Sequence, residues 1–362
     1  MSFRKKRVIR STPLFMILYF IFLKYLFLLF GGISDLYSLL LAIILGLFEI
    51  VPMLCEEKKS TWIGRIASTI NGLWKWSFLF LVMDTVVIYV LKLFVNLSYE
   101  HILIILAIVP ILGIYNFYHS HKLIVKEKVI RLNHIKEDVN IVHFSDVHFG
   151  SIRHRKIISQ IANKLNELSD VCDIAIISGD LADGSSCVDE DDFLAFKDVS
   201  MPIIFTAGNH DFYPGINNVY KAAKKAGLII LDNDCIEFKS LNIFGVTFSF
   251  GDIEEVSHNK LKESIKSDSG NIIVYHVPSR WEEFSKIGFD IQLSGHTHGG
   301  QFYPATWFCK LISGYNMGLF KNNFGTQKDY YLHVTTGVGS MDYPMRWGTD
   351  SELVILKLRK NK

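Results

Sequence analysis

The sequence predicts an N-terminal bundle of transmembrane α-helices followed by an α/β domain. Two observations predict this fold class. Long apolar runs crowd into the chain before residue 120, and short β-rich runs alternate with amphipathic helices after residue 138. Of the 362 residues, 49% are hydrophobic, which is high for a purely soluble protein of this length. We therefore expect one part in the bilayer and one part in water.

Four apolar runs make up the N-terminal part, at Leu14–Phe30, Leu36–Leu54, Leu73–Val95 and Ile102–Tyr118. Each approaches the roughly 20 residues that a helix needs to cross about 30 Å of hydrocarbon. The runs are apolar all round, whereas a helix of a soluble core keeps one polar face. A cleaved signal peptide explains one such run but not four. We therefore expect four membrane spans.

The positions of Lys and Arg predict the orientation of the spans. Basic residues lie before the first run, between the second and third, and after the fourth (Arg4, Lys5, Lys6, Arg7, Arg10, Lys58, Lys59, Arg65, Lys75, Lys122, Lys126, Lys128 and Arg131). The two other loops carry only the acidic charges Asp35 and Glu100. Because basic loops stay in the cytoplasm, we expect a multi-pass protein of the cell membrane whose N-terminus and C-terminal domain are cytoplasmic.

Three charged residues, Lys24, Glu49 and Asp84, lie inside or near the spans. Such residues either mark an intramembrane pathway or hold the bundle together by pairing and snorkelling. We favour the second interpretation, because four short-looped spans with few polar residues make a poor transport pathway.

Cysteine usage and net charge exclude two classes of protein. The five cysteines are odd in number, scattered and without CxxC spacing, which indicates reduced thiols rather than a disulfide framework or a structural zinc site. The formal net charge of +2 is too small to favour nucleic-acid binding.

The C-terminal part has the alternation of an α/β domain. Two segments have helical periodicity, His154–Leu168 and Gly215–Ala226. Nine runs have the composition of strands: Val139–Phe144, Asp173–Ile177, Pro202–Thr206, Leu228–Leu231, Asn242–Phe250, Asn271–Tyr275, Ile291–Ser294, Tyr331–Thr335 and Leu353–Leu358. We expect a membrane anchor over 1–120, a short basic linker over 121–137 and the α/β domain over 138–362.

Metal-ligand residue types follow five of these strands where each strand ends. In chain order they are Asp146 and His148; Asp180 with Asp183; Asn209, His210 and Asp211; His276; and His296 and His298. The carboxyl ends of neighbouring strands meet at the crevice where open α/β sheets bind ligands. We therefore expect these side chains to converge.

The chemistry of the converging residues indicates divalent metal ions. Carboxylate, amide and imidazole ligands without thiolate suit Mn²⁺, Fe²⁺ or Zn²⁺ rather than a closed structural zinc site. Apart from Asp183 and the further pair His210 and Asp211, seven ligands remain, which are too many for one ion but enough for two if one carboxylate bridges. Two ions about 3.5–4 Å apart clamp the attacking and leaving oxygens of a phosphoryl displacement.

The five motifs, in this order, resemble those of the calcineurin-like metallophosphoesterase superfamily over roughly residues 138 to 358. Gly295 to Gln301, and the tail Gly337-Val338-Gly339-Ser340 followed by Pro344-Met345-Arg346, are similar to a bacterial branch that often carries N-terminal membrane spans. The resemblance implies an αββα sandwich of two mixed sheets flanked by helices. It also implies a metal-dependent phosphoric ester hydrolase.

The resemblance further implies a role for each site residue. One ion would be held by Asp146, His148, Asp180 and His298, and the other by Asp180, Asn209, His276 and His296, with Asp180 as the bridge. His210 would stabilise charge on the phosphate and protonate the leaving oxygen. Asp211 would orient the His210 imidazole, and Asp183 would support the Asp180 loop.

Each motif alone also has a structural explanation. A lone His148 or His276 is more often a hydrogen-bonded core residue, Asp180 and Asp183 suit a helix cap, and Gly208-Asn209 is an ordinary turn. Their joint occurrence favours the metal site. Of the histidines outside the pattern, we interpret six as surface or structural residues: His119, His121, His134, His143, His258 and His333.

The ligand set does not choose between a phosphomonoester, a phosphodiester and a pyrophosphate. A domain tethered beneath the bilayer favours a lipid-linked or membrane-proximal phosphate ester, and the alternative is a soluble nucleotide with the spans as an anchor only. The apolar stretch Gln301–Phe320 would either rim the site and dip into the bilayer interface or belong to the domain core. A non-catalytic metal-binding scaffold is a further alternative, which the presence of Asp180 and His210 disfavours. The sequence does not fix the oligomeric state.

Overall fold

The computed structural model describes residues 3–56, 60–250 and 256–361, and it divides into two compact units. The helical unit consists of Met1–His119 with Ser185–Cys187 and Asp342–Met345, and the α/β unit consists of Ser120–Gly184, Val188–Met341 and Arg346–Lys362. Lys58 and Lys59, which support the predicted orientation, lie outside the described residues, as do the side chains of Arg4, Lys5 and Arg7.

The helical unit contains the expected long apolar helices. They are α1 (Phe3–Leu28), α2 (Asp35–Phe48), α3 (Val51–Glu56), α4 (Trp62–Leu91) and α5 (Tyr99–Ser120). Four segments of the described chain are long and apolar enough to cross a membrane: Val8–Leu28, Asp35–Glu56, Trp62–Leu91 and Tyr99–Ser120. The second segment is interrupted between α2 and α3, because Pro52 has no N–H to donate to residue 48. The prediction of four apolar N-terminal helices is confirmed.

Lys24 and Glu49 each form an ion pair with a residue of another helix. Lys24 Nζ lies 3.1 Å from Asp35 Oδ1, and Lys75 Nζ lies 2.6 Å from Glu49 Oε2. The Tyr19 hydroxyl donates to Glu49 Oε1 at 2.6 Å. These contacts join α1, α2 and α4, which is the bundle-holding role expected for Lys24 and Glu49. Asp84 differs, because its buried Oδ2 has no hydrogen-bond partner among the described residues.

The α/β unit contains two six-stranded mixed sheets. The first has the strand order β1-β12-β2-β3-β4-β5 and the second the order β10-β11-β9-β8-β7-β6. The strands are β1 (Leu123–Leu132), β2 (Val139–Phe144), β3 (Ile174–Ser178), β4 (Ile203–Thr206), β5 (Ile229–Ile230), β6 (Asp234–Phe238), β7 (Leu241–Val246), β8 (Gly270–Tyr275), β9 (Ile291–Ser294), β10 (Gly318–Asn322), β11 (Tyr330–Val334) and β12 (Ser351–Lys360).

The two sheets pack face to face and carry helices on their outer faces. Ile141 and Ile176 of the first sheet share one buried cluster with Ile272 and Leu293 of the second. On the outside of the first sheet lie α6 (His154–Leu168) and α7 (Ile216–Lys225), and on the second lie α8 (His258–Glu263) and α9 (Trp281–Ile287). A further helix, α10 (Ala305–Ile312), follows β9. This is the αββα sandwich that the sequence predicts.

Most of the segment predicted as a linker, 121–137, is the strand β1. It pairs in parallel with β12 along its whole length, from Leu123 opposite Ser351 to Leu132 opposite Lys360. The strands β6 and β10 and the helices α8, α9 and α10 are also absent from the sequence prediction. The domain boundaries themselves stay a prediction.

Candidate metal centre

The candidate ligands lie on loops at the carboxyl ends of five strands. In the first sheet, β2, β3 and β4 are parallel neighbours, and they lead to Asp146 and His148, to Asp180, and to Asn209. In the second sheet, β8 and β9 are parallel neighbours that lead to His276 and to His296 and His298. Parallel neighbours end at the same sheet edge, so the packed sheets bring both sets of loops together.

Five of these residues have a left-handed backbone conformation that side chains with a Cβ rarely adopt. Their φ angles are 50° for Asp146, 48° for His148, 55° for Asp180, 72° for His296 and 51° for His298. Each such residue costs on the order of 1–3 kcal/mol and clusters of them are typical of functional sites. The surrounding fold therefore holds the loops in strained turns that aim these side chains at one another.

Glycines allow the loops to approach closely. At Gly179, with φ 97°, an added Cβ would lie 2.5 Å from His276 Nδ1. At Gly208 it would lie 2.3 Å from Asp180 Oδ1. A real Cβ is excluded at such distances, which explains why a glycine precedes Asp180 and another precedes Asn209.

The first group comprises the buried residues Asp146, His148 and His298. Asp146 Oδ1, His148 Nε2 and His298 Nε2 lie close to one another. The two imidazole nitrogens are 3.0 Å apart, and Asp146 Oδ1 lies 3.2 Å from His298 Nε2 and 3.7 Å from His148 Nε2. With metal–ligand bonds of about 2.1 Å, adjacent ligand atoms are spaced by about 3.0 Å in an octahedral site and about 3.4 Å in a tetrahedral one. The observed spacings fit one divalent ion.

The hydrogen bonds of Asp146 leave one carboxylate oxygen for that ion. Asp146 Oδ2 accepts from the His296 N–H at 3.0 Å and from the Ser145 hydroxyl. Asp146 Oδ1 is buried and has no hydrogen-bond partner among the described residues. An orphaned buried carboxylate oxygen is costly unless it binds a cation, so the residues fit a metal ion here.

The second group comprises Asp180, His276 and His296. His276 Nδ1 lies 2.8 Å from the Ser178 carbonyl, to which it donates, and this bond fixes the tautomer so that Nε2 carries the lone pair. His276 Nε2 lies 3.0 Å from Asp180 Oδ2 and has no hydrogen-bond partner in the described chain. His296 Nδ1 lies 3.1 Å from Asn209 Oδ1, which brings the amide to the same group.

Asp180 lies between the two groups. Its Oδ2, 3.0 Å from His276 Nε2, is also 3.8 Å from His148 Nε2 of the first group. Its Oδ1 accepts the backbone N–H of His210 at 2.8 Å, which fixes the carboxylate. One carboxylate oxygen thus lies near a histidine nitrogen of each group, and the bridging role of Asp180 stays a prediction.

Metal ligation requires anionic carboxylates and neutral imidazoles. Both aspartates and His298 meet this requirement, whereas neighbouring carboxylates outweigh burial and raise the pKa of His148 and His276. Burial alone would raise the pKa of both aspartates, but the neighbouring histidines hold the pKa of Asp146 well below its usual range and lower that of Asp180 to about 2. Burial lowers the pKa of His298 to about 3, so its ring is neutral. Burial would also lower the pKa of His276, but the charge of Asp180 outweighs it and raises this pKa to about 10. A cation at this group would therefore displace the His276 proton.

His210 lies beside the first group, half-buried, with its ring centroid 4.9 Å from that of His148. Its Nδ1 is 3.3 Å from the Asp183 carbonyl oxygen.

The prediction that the Asp211 carboxylate orients the His210 imidazole is wrong. Asp211 Oδ2 accepts the N–H groups of Asp180 and Gly208 at 2.9 and 2.8 Å, and Oδ1 accepts that of Ala182 at 2.8 Å. The carboxylate therefore ties the β3 and β4 loops together instead of orienting the imidazole.

Arg346 is a supporting residue whose role the sequence did not show. Its fully buried guanidinium donates to the carbonyls of Thr336, Gly337, Gly339 and Asp350 and to the Thr349 hydroxyl. The loop that it holds lies against the first group: the Gly339 N–H donates to the Asp146 carbonyl at 2.7 Å. The pattern that could have indicated this role is the glycine pair Gly337 and Gly339 followed a few residues later by Arg346.

Two of the histidines interpreted as structural are buried between the sheets. His143 of β2 and His333 of β11 face each other with their Nδ1 atoms 2.7 Å apart, and His143 Nε2 lies 2.8 Å from the Ser178 hydroxyl. Neither belongs to the two candidate groups.

Comparison with known proteins is consistent with this geometry. The sequence model of the calcineurin-like phosphoesterase family matches residues 139–300. The chain is 27% identical over 240 residues to an uncharacterised metallophosphoesterase of Helicobacter pylori strain J99, covering 65% of this chain and 63% of that protein. It is 30% identical over 232 residues to the uncharacterised protein YpbG of Bacillus subtilis strain 168, covering 62% of this chain and 82% of that protein.

The name of one vertebrate relative combines transmembrane segments with a metallophosphoesterase domain. A transmembrane protein with metallophosphoesterase domain from Danio rerio is 25% identical over 276 residues, covering 71% of this chain and 62% of that protein. Among solved structures, the NAD nucleotidase of Haemophilus influenzae matches with 15% identity and a TM-score of 0.38 over 56% of this chain and 46% of that chain. The match spans slightly less than two thirds of the Helicobacter protein. With two candidate metal-binding groups at the ends of its strands, the chain belongs to the calcineurin-like phosphoesterase family and carries a metal-dependent phosphoesterase domain.

Proposed function

We propose that the protein is a membrane-anchored phosphoesterase that uses two divalent ions, Mn, Fe or Zn, to hydrolyse a lipid-linked or membrane-proximal phosphate ester. The observation that carries the proposal is the position of Asp180, whose Oδ2 lies within 3.8 Å of a ligand nitrogen in each group. A single structural ion would need no carboxylate shared between two sets of ligands.

The ligand assignment follows from the two groups. One ion would be held by Asp146, His148, Asp180 and His298, and the other by Asp180, Asn209, His276 and His296. When bound, such a pair of ions acts as a Lewis acid on the phosphate ester and on the attacking water. The protein holds the pair through the hydrogen bonds that fix Asp146 Oδ2, Asp180 Oδ1 and His276 Nδ1, each of which leaves the other ligand atom of its side chain facing the site.

His210 is proposed to protonate the leaving oxygen. Donation from Nδ1 to the Asp183 carbonyl leaves Nε2 as the nitrogen available to a substrate. Its ring lies against that of His148, so a phosphate ester held at the first group would be within its reach.

The short connection between the apolar helices and the α/β unit supports the proposal of a lipid-linked or membrane-proximal substrate. Helix α5 ends at Ser120 and strand β1 begins at Leu123, so a two-residue connection joins the last apolar helix to the phosphoesterase unit. So short a tether gives the unit a high effective concentration of lipid head groups. The distribution of Lys and Arg supports four crossings, with the site on the cytoplasmic side.

The experiment uses the full chain purified in detergent and then placed in lipid vesicles. We expect two divalent ions per chain by elemental mass spectrometry and hydrolysis of a generic aryl phosphodiester. We also expect faster hydrolysis of lipid phosphates, measured as released phosphate, than of cyclic dinucleotides, measured as the ring-opened product. Asp180→Asn should lose bound metal and hydrolysis together. Asp192→Asn is the matched control, because Asp192 is equally buried but accepts from Arg155 and from the Asp189 N–H.

Each part of the proposal has its own contrary result. Metal-free protein with no hydrolysis of any ester would contradict the phosphoesterase, and one ion per chain would contradict the bridge. A preference for the soluble dinucleotides would contradict the lipid-linked substrate alone.

A further inference from the structure

Helix α10, Ala305–Ile312, presents an apolar face that is not part of the core. Trp307, Phe308, Leu311 and Ile312 are 63%, 60%, 80% and 83% exposed. At about 100° per residue, positions i, i+1, i+4 and i+5 cover a continuous arc of about 140° on one side of a helix. The sequence left open whether this stretch belongs to the core, and at these four residues it does not.

The opposite face of α10 is fixed against the loop that carries His296 and His298. Thr306 is buried, and a Cβ added at Gly300 would lie 2.6 Å from the Thr306 Cα. Cys309 Sγ lies 3.8 Å from the Thr297 carbonyl oxygen. Because this contact face is packed against backbone, the helix cannot turn to bury its apolar side. The four exposed side chains therefore point away from the α/β unit.

We infer that α10 is an interfacial helix that inserts its apolar face into the headgroup and upper acyl region of the bilayer. The composition fits this occupant, since Trp and Phe are favoured at the membrane interface and aliphatic side chains below it. Lys310, exposed at the border of the apolar arc, suits the phosphates of anionic lipids. Trp307 also packs on Tyr303 (ring centroids 5.1 Å), which packs on Trp347 (5.5 Å), so an aromatic row continues from the helix.

A bilayer is favoured over a protein partner by what the chain already carries. The inference rests on the proposed membrane anchor, in which four apolar helices and a two-residue connection hold the α/β unit at a membrane surface. An apolar helix face held there meets lipid before it meets any dissolved partner, and insertion removes its four large side chains from water. The inference does not depend on the proposed catalysis. If both hold, docking of α10 fixes the His296–His298 loop at headgroup depth, where lipid phosphates lie.

The test places the full chain in vesicles of phosphatidylcholine and phosphatidylglycerol with acyl chains brominated near the headgroup. Bromine quenches nearby tryptophan, and the chain has six tryptophans. The contribution of Trp307 is obtained by subtracting the emission of Trp307→Phe from that of the wild type. We expect this contribution to be lost in brominated vesicles and retained in unbrominated ones, and iodide in the aqueous phase to leave it unchanged.

A second variant tests the apolar face itself. The double variant Leu311→Glu with Ile312→Glu changes side chains that contact little of the protein. In this variant, aqueous iodide should quench the Trp307 emission and brominated acyl chains should no longer do so. Val171→Glu is the matched control, since Val171 is 57% exposed on the same unit and distant in sequence from α10, and it should leave the bromine quenching intact.

Two results would overturn the inference. Quenching of wild-type Trp307 by iodide and not by bromine would place the helix in water. Quenching by neither would mean that protein, such as a second copy of this chain, covers the face.

Discussion

The substitution Asp211→Asn separates two roles for this carboxylate. If Asp211 orients the His210 imidazole, the change should lower turnover and leave stability and metal affinity alone. The structure instead has its two oxygens accepting three backbone N–H groups, from Asp180, Ala182 and Gly208. We therefore expect loss of stability and weaker metal binding.

The magnitude follows from those three hydrogen bonds. The single oxygen of Asn can keep the bonds from Asp180 and Gly208, but without the charge each is weaker by about 1 kcal/mol. The Ala182 N–H then faces an NH₂ group, and an unsatisfied buried donor costs about 1–3 kcal/mol. Burial and the charge of Asp180 raise the pKa of Asp211 to about 7, so removal of this charge offsets part of the loss. The net destabilisation should be about 2–4 kcal/mol, or a fall in Tm of roughly 5–15 °C.

The assay measures thermal unfolding, metal affinity and turnover on the same preparations. Because Asp211 holds the loop that carries Asp180, metal affinity should fall about 10–100-fold. Asp290→Asn is the control, since Asp290 is also buried and accepts a backbone N–H, from Asn271 at 2.7 Å, but lies outside the two candidate groups. It should lower Tm without changing metal affinity. Wild-type Tm and metal affinity in Asp211→Asn, with reduced turnover, would refute the loop-tying role.

Three further predictions address other residues. His210→Ala should lower turnover about 10²–10⁴-fold with the metal content unchanged, and unaltered turnover would remove its role as the acid. In Arg346→Lys, the lysine has three donors for the five acceptors that Arg346 satisfies, so at least two buried acceptors lose a partner. The free energy of unfolding, measured by denaturant titration, should therefore fall by about 2–6 kcal/mol. Arg155→Lys changes an arginine that is 55% exposed and bonds one carboxylate, Asp192, so it should stay near wild type. Equal effects of Arg346→Lys and Arg155→Lys would contradict the buried supporting role of Arg346. Burial would raise the pKa of Glu352, but Lys126 at 2.8 Å lowers it, so this carboxylate contributes stability above pH 4.5 that is lost as the pH falls. Glu352→Gln should therefore flatten the acid limb of the curve of Tm against pH, and a curve parallel to the wild type would exclude this contribution.

The sequence could predict the ligand positions because they depend on local rules. A short apolar run followed by a glycine and a carboxylate indicates a strand and its exposed end whatever the rest of the chain does. Parallel pairing then brings such ends together, as between Phe144 and Ile177 or between Ile177 and Phe205. The ligand types were predicted by the same local patterns, and the structure gathers six of the seven predicted ligands into two groups, with Asn209 beside the second.

Strand β1 could not be predicted in the same way, because its partner is more than 200 residues away. The run from Lys126 to Lys128 interrupts the apolar pattern and is typical of a solvated linker. In the fold these charges are paired across the sheet, Lys126 with Glu352 at 2.8 Å and Glu127 with Lys357 at 2.5 Å. Nonlocal ion pairs of this kind leave no trace in a local window of sequence.

The role of Asp211 was missed for a different reason, which concerns direction. Neighbours along the chain suggest a common task, and Asp211 directly follows His210. In the short 3₁₀ turn His210–Phe212, consecutive side chains point about 120° apart. The imidazole therefore turns toward the site, while the carboxylate turns inward to the loop amides, and only coordinates distinguish the two directions.

Backbone hydrogen bonds between neighbouring loops hold the strained turns at the candidate ligands. Asp146, His148 and Asp180 have positive φ angles, which contacts within the fold must maintain. Backbone bonds do so: the Asp146 N–H donates to the Gly179 carbonyl at 3.0 Å, and the His148 N–H donates to the Asp180 carbonyl at 3.1 Å. The β2 and β3 loops thereby lock each other in the conformation that directs their side chains to the crevice. Free energy released by cation binding is then not consumed in ordering the loops, which makes preorganised sites tight and selective in geometry.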